Sequence, residues 1–219
     1  DTGINEKVIE LDWWQSYRVG DWQLNAVPVQ HWSRRGLFDT NKTIWAGWVV
    51  EAPEQKMFFA GDKGCSKDFK DIGERLGSMD ISLIPIGAYA PRWFMQDMHV
   101  NPDEAVQIHQ DVQSRFSVGM HWGTFLNLTD EPLLEPSQRL KEVLTERKLS
   151  QESFITLKHG QTLRLWTIEI MGNPEVLRRE IGVLGAIFLG LGSILGTGVF
   201  VSIGLVIGQV GEWIGLALL

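Results

Sequence analysis

The run from Gly182 to Gly208, GVLGAIFLGLGSILGTGVFVSIGLVIG, contains no charged residue. A helix needs about twenty apolar residues to cross the roughly 30 Å hydrocarbon layer of a bilayer. Few globular helices stay apolar on every face for that length. The run therefore predicts a C-terminal transmembrane helix, and Arg178 and Arg179 just before it place its start on the cytoplasmic side. It also divides the chain, with residues 1–170 reading as a soluble, mildly acidic domain and residues 171–219 as a membrane piece.

The net charge of -7 argues against a protein that grips nucleic acid through a basic surface. The one cysteine, Cys65, excludes an internal disulfide framework and fits a reducing compartment, so the soluble part is expected in the cytoplasm. Along that part, Asp21–Gln30, Ile44–Val50 and Lys56–Ala60 have the alternation or β-branched and aromatic content of strands. Phe69, Ile72 and Leu76 recur at helical spacing, predicting a helix over Ser66–Leu76 with Ser66 as its cap. Ile81–Ile86 is a continuous apolar run, as in a strand covered on both faces. NPDEA opens a helix at Asn101 that runs to about Ser114: a cap, a proline at the first position, then two acids favoured by the dipole. Phe116–Met120 follows as a strand, Pro136–Lys148 as a helix and Thr162–Ile168 as a closing strand. Strands first, then strand–helix alternation, predict an α/β domain with a mixed sheet and helices packed on it.

Three of these strands end in a metal-capable side chain. AVPVQHW leads to His31, MFFAGD to Asp62 and SVGMHWG to His121. Neighbouring strand ends lie side by side, so the three groups can converge, and two imidazoles with a carboxylate suit zinc or a similar divalent ion. Each also has an ordinary reading, Asp62 between Gly61 and Gly64 as a turn, and each histidine as a satisfied polar group.

The segments QHWSRRGLFDTNKTIWAGWVVE, FFAGDKGCSKDFKDIGERLG, LIPIGAYAPRWFM, MHVNPDEAVQIH and HWGTF together resemble metallo-β-lactamase-fold hydrolases of the N-acylphosphatidylethanolamine phospholipase D type, over nearly all of Ile4 to about Gly160. The resemblance implies a partial metallo-β-lactamase fold, two zinc ions, and a phospholipid or other phosphodiester as substrate. It assigns His31 and His121 to one zinc site each and Asp62 to the bridge between them, with Asp62 and His99 as catalytic candidates. Tyr89, Arg92 and Trp93 form a loop suited to a phosphate or lipid glycerol, or equally an aromatic loop that only packs. His99 has a helix cap as its plain alternative. His109 is expected at the surface, and His159 and Cys65 are expected to be structural.

Three departures from that family stand out. The HxHxDH motif is absent from these residues, so the ligand set is incomplete and the fragment is expected to be inactive. Lys63 stands where the family has a small threonine, either lending charge beside the metals or pointing to solvent. Ala90 stands in place of a usual acid. The sequence from Met171 on resembles the start of amino-acid permeases of the amino acid–polyamine–organocation superfamily. There Gly192, Ser193, Gly196, Thr197 and Gly198 resemble the unwound substrate motif of the first helix. The rival to an enzyme is thus a membrane transporter fragment carrying a non-catalytic hydrolase remnant, joined by fusion or assembly error. A lactonase or other phosphoesterase of the same fold is a further alternative.

Overall fold

The computed structural model describes residues 8–34 and 36–163. The permease-like motif and the apolar run at 182–208 lie outside the described residues, as does the expected closing strand from Arg164 on. Among the described residues no helix is long and apolar enough to cross a membrane. All the elements below lie within Asp1–Thr156, the first of two compact units into which the chain divides.

One seven-stranded mixed sheet, ordered as in the sequence, organises the domain. Its first half is an antiparallel meander of β1 (Ser16–Val19), β2 (Trp22–Val27), β3 (Gly47–Glu51) and β4 (Lys56–Phe59). Helix α1 (Asp68–Leu76) then leads to β5 (Ile81–Pro85), parallel to β4. The short α2 (Arg92–Met95) and the longer α3 (Pro102–Asp111) lead to β6 (Ser117–Met120), and α4 (Glu135–Glu146) leads to β7 (Phe154–Thr156). β5, β6 and β7 are parallel, because parallel neighbours need a crossover and the helices supply it.

Local sequence explains most boundaries. In α3, the Asn101 side chain accepts from the Glu104 N–H at 2.8 Å while the Glu104 carboxylate accepts from the Asn101 N–H at 2.9 Å, a complete capping box. In α1 the cap position falls on Lys67, and Ser66 bonds Asp68 instead, its hydroxyl accepting from the Asp68 N–H at 3.3 Å. β5 is buried along its whole length, as its unbroken apolar run predicts. The core joins sheet and helices through Phe58, Phe69, Ile72, Ile84 and Ile108, with the Phe58 and Phe69 rings edge-to-face at 6.3 Å.

This topology sets where chemistry can occur. β4, β5 and β6 run in one direction and so end at one edge. β2, two antiparallel steps from β4, ends at that edge as well. In open α/β sheets the groups beyond the carboxyl ends of the strands are the ones free to converge on a ligand.

Candidate metal centre

Three chain segments are laced together at that edge. After β4, Gly61 adopts φ 72°, a left-handed turn natural to glycine, which brings Asp62 to the rim. The Gly64 N–H then donates to the Gln30 carbonyl at 2.9 Å, and the Gln30 amide donates to the Asp97 carbonyl at 2.7 Å. Gly64 has no room for a side chain, since a Cβ there would overlap the Asp97 carbonyl. The two glycines around Asp62 thus do different work, one turning the chain and the other admitting a neighbouring backbone. His31, Asp62 and His99 follow directly from these contacts. His121 comes from the end of β6, held at φ 60°, a conformation that a side chain larger than glycine seldom takes.

The side chains meet around Asp62. Its Oδ1 lies 3.0 Å from His99 Nδ1, and its Oδ2 lies 3.6 Å from both His31 Nε2 and His121 Nε2. The ring centroids are 6.2 Å apart for His31 and His99 and 5.7 Å for His99 and His121. Asp62, His99 and His121 each offer a ligand atom within 4.8 Å of the others. The far nitrogens of two rings face carbonyl groups, His31 Nδ1 at 2.9 Å from Trp32 O and His121 Nδ1 at 3.4 Å from Gly87 O. A neutral ring that donates to its carbonyl leaves the other nitrogen free to bind a cation beside Asp62.

A divalent cation fits what remains. His31 Nε2, His99 Nδ1 and Asp62 Oδ1 are buried and have no hydrogen-bond partner, although the last two are only 3.0 Å apart. Buried lone pairs facing one another are costly unless something positive lies among them. Burial alone would raise the Asp62 carboxyl, but the imidazoles of His31, His99 and His121 outweigh it and hold the group well below the usual carboxylate range. Burial alone would lower His31, yet Asp62 and the Trp32 carbonyl carry it above its ordinary value. The site therefore attracts positive charge even as bare protein.

The other candidates make contacts of their own. The Arg92 guanidinium donates from Nη2 to both oxygens of Glu104, at 2.7 and 2.9 Å, and from Nη1 to the His99 carbonyl at 2.8 Å. It braces the loop that carries His99. Tyr89 is buried with its hydroxyl unpaired, and Trp93 stands 81% exposed on α2. Lys63 does not point to solvent: it is fully buried, with its amine nitrogen 5.1 Å from the centroids of Phe58 and Phe69 and close enough to Asp62 to feel its charge. His109 is not at the surface. It is buried against Ser117, Nδ1 to Oγ at 2.8 Å, and its place on the face shared by Ala105 and Val112 was the available signal. Burial, then Glu104 and Asp111, push the Cys65 thiol up, which leaves it inert. Glu131, which no sequence argument singled out, accepts from three amides of the loop before α2.

A mixed sheet with helices packed on it, whose rim gathers three imidazoles round one carboxylate, is an α/β domain with a candidate metal site. The model of the family described as a Beta-lactamase superfamily domain matches residues 2–122, and the chain belongs to that family. It is 45% identical over 163 residues to the N-acyl-phosphatidylethanolamine-hydrolyzing phospholipase D 1 of Caenorhabditis elegans, covering 70% of this chain and 45% of that protein. It is 39% identical over 148 residues to the mitochondrial N-acyl-phosphatidylethanolamine-hydrolyzing phospholipase D of Saccharomyces cerevisiae, covering 64% of this chain and 31% of the relative. The chain thus spans less than half the length of either. Among solved structures, Igni18, a metallo hydrolase of Ignicoccus hospitalis, shares the fold at a TM-score of 0.53 and 19% identity, over 71% of this chain and 59% of that one.

Proposed function

We propose that this chain is the rim-forming part of a metal-dependent phosphodiesterase acting on N-acylphosphatidylethanolamine-like phospholipids. The observation that carries the reading is the convergence of His31, His99 and His121 on Asp62, with His31 Nε2, His99 Nδ1 and Asp62 Oδ1 buried and without a hydrogen-bond partner. The two Asp62 oxygens face different imidazoles, which suits a carboxylate shared between two cations. A divalent cation bound there, zinc in this reading, supplies Lewis acidity for a phosphoryl oxygen and a nucleophile competent at neutral pH. Asp62 keeps the site negative, and the Trp32 and Gly87 carbonyls hold His31 and His121 with the ligating nitrogen inward.

A lipid substrate suits the surroundings. The segments that follow His31 and His121, and helix α2, expose Phe38, Trp93, Phe94, Leu126 and Leu128, each more than 60% accessible, and exposed apolar groups favour an apolar ligand or surface. The uncharged run at 182–208 supports attachment to a membrane in the same reading, with the hydrolase part on the cytoplasmic side.

These residues hold no HxHxDH motif, so zinc is expected to bind weakly and turnover to be undetectable. Zinc analysis after dialysis, with N-acylphosphatidylethanolamine vesicles as substrate, tests this. Tight stoichiometric zinc together with hydrolysis abolished by His121→Ala overturns it. Placing this chain over the matching region of the C. elegans relative tests the substrate: a lipid-cleaving chimera that Asp62→Ala silences is expected, and a zinc-loaded but inert chimera argues against the assignment.

A further inference from the structure

Glu131 lies outside any helix or strand, in the segment that follows His121, and its carboxylate reaches back to three successive amides. The Ala88 N–H donates to Oε1 at 2.6 Å, the Tyr89 N–H to the same oxygen at 3.3 Å, and the Ala90 N–H to Oε2 at 3.0 Å. The Asp130 N–H returns a bond to the Ala90 carbonyl at 3.3 Å. Consecutive N–H groups converging on an anion form a nest, filled here by the protein's own side chain. The clamp is needed, because Ala88 sits at φ 63°, a conformation that persists only where surrounding contacts enforce it.

The clamped loop touches two of the site's histidines. At its start, the Gly87 carbonyl lies 3.4 Å from His121 Nδ1. At its end, Arg92 donates to the His99 carbonyl. We propose that Glu131 is a positioning residue for the metal centre: by seating Ala88 to Ala90 it holds Gly87 against His121 and Arg92 against His99, so that both imidazoles meet Asp62. The charge matters as well as the shape. A glutamine has one acceptor oxygen and would turn an NH2 group towards an amide N–H. The metal side of this inference rests on the centre proposed above, whereas the positioning of the two rings does not.

The test compares the full chain with Glu131→Gln, reading the imidazole nitrogen signals of the metal-free protein by NMR and titrating with Co2+ alone. The His99 and His121 signals are expected to move while buried His109 stays. Co2+ affinity is expected to fall about tenfold, as when the outer support of a metal ligand is lost. Unmoved His99 and His121 signals, or an unchanged Co2+ affinity, overturn the role. Should Glu131→Gln fail to fold, Glu131→Asp keeps both oxygens on a shorter reach and is judged by the same signals. A parent chain that ignores Co2+ refutes the metal centre, and the imidazole signals of the variant still decide for or against Glu131.

Discussion

Gly87 separates packing that serves the site from packing that serves only the fold. A Cβ added there would lie 2.5 Å from the His121 carbonyl oxygen and 2.9 Å from the Trp122 Cβ, against the 3.4 Å at which ordinary contact begins. Both obstacles belong to the chain leaving β6, so relief requires moving the backbone that carries His121. Forcing an extra methyl into a packed site costs about 1–3 kcal/mol, offset by about 0.4–1 kcal/mol from the stiffer unfolded chain. The net loss of roughly 1 kcal/mol lowers Tm by about 2–4 °C in a chain of this size. Gly87→Ala should therefore melt earlier by differential scanning calorimetry and also displace the His121 imidazole signal. Gly73→Ala, where the Cβ meets the Asp111 carbonyl, should melt earlier with His121 unmoved, and Gly36→Ala, which meets only the Asp39 side chain at 3.4 Å, should do neither. A Gly87→Ala protein with an unaltered Tm and His121 signal would refute the reasoning.

Lys63→Met should raise stability by about 1–3 kcal/mol in urea unfolding, because it removes a buried amine without a hydrogen-bond partner, which burial pushes well below its ordinary pKa, while keeping an unbranched side chain against Phe58 and Phe69; a less stable variant would show that the ring contacts outweigh desolvation. Burial lowers His109, so as pH falls below about 6.5 the unfolded chain takes up a proton that the folded chain refuses. Stability contributed by neutral His109 is thus full above that pH and is lost on acidification, by at most about 1.4 kcal/mol per pH unit, and His109→Gln should flatten this part of the stability–pH curve. Arg92→Lys should cost about 1–2 kcal/mol, since one ammonium cannot replace two nitrogens that separately reach Glu104 and the His99 carbonyl; unchanged unfolding would assign the brace to other contacts.

The sequence disclosed what local physics controls. β4 and β6 are strands that lead to Asp62 and His121, β5 is buried along its whole length, and α3 opens on a complete capping signal. β1 was illegible because all four of its residues are exposed, so no burial alternation marks it, and β7 is only three residues long. Asp62, His31 and His121 could be placed from strand grammar, whereas His99 could not. Its position depends on α2, four residues without apolar periodicity, and on Arg92 reaching Glu104 from twelve residues away. The contacts of Lys63 and Arg92 could not be read locally, because the direction of a long charged side chain is set by tertiary partners, Phe58 and Phe69 for the first and Glu104 for the second. Glu131 shows the same limit more sharply, because its three amide partners lie more than forty residues upstream.

X-ray absorption at the zinc edge, recorded on the chain given less than one equivalent of zinc, tests the centre most directly. Ligation by His31, His99, His121 and Asp62 predicts a nitrogen and oxygen shell at about 2.0–2.1 Å with the outer scattering of several imidazoles. A sulfur shell at about 2.3 Å, which only Cys65 or a methionine could supply, or a spectrum without imidazole scattering, would contradict it.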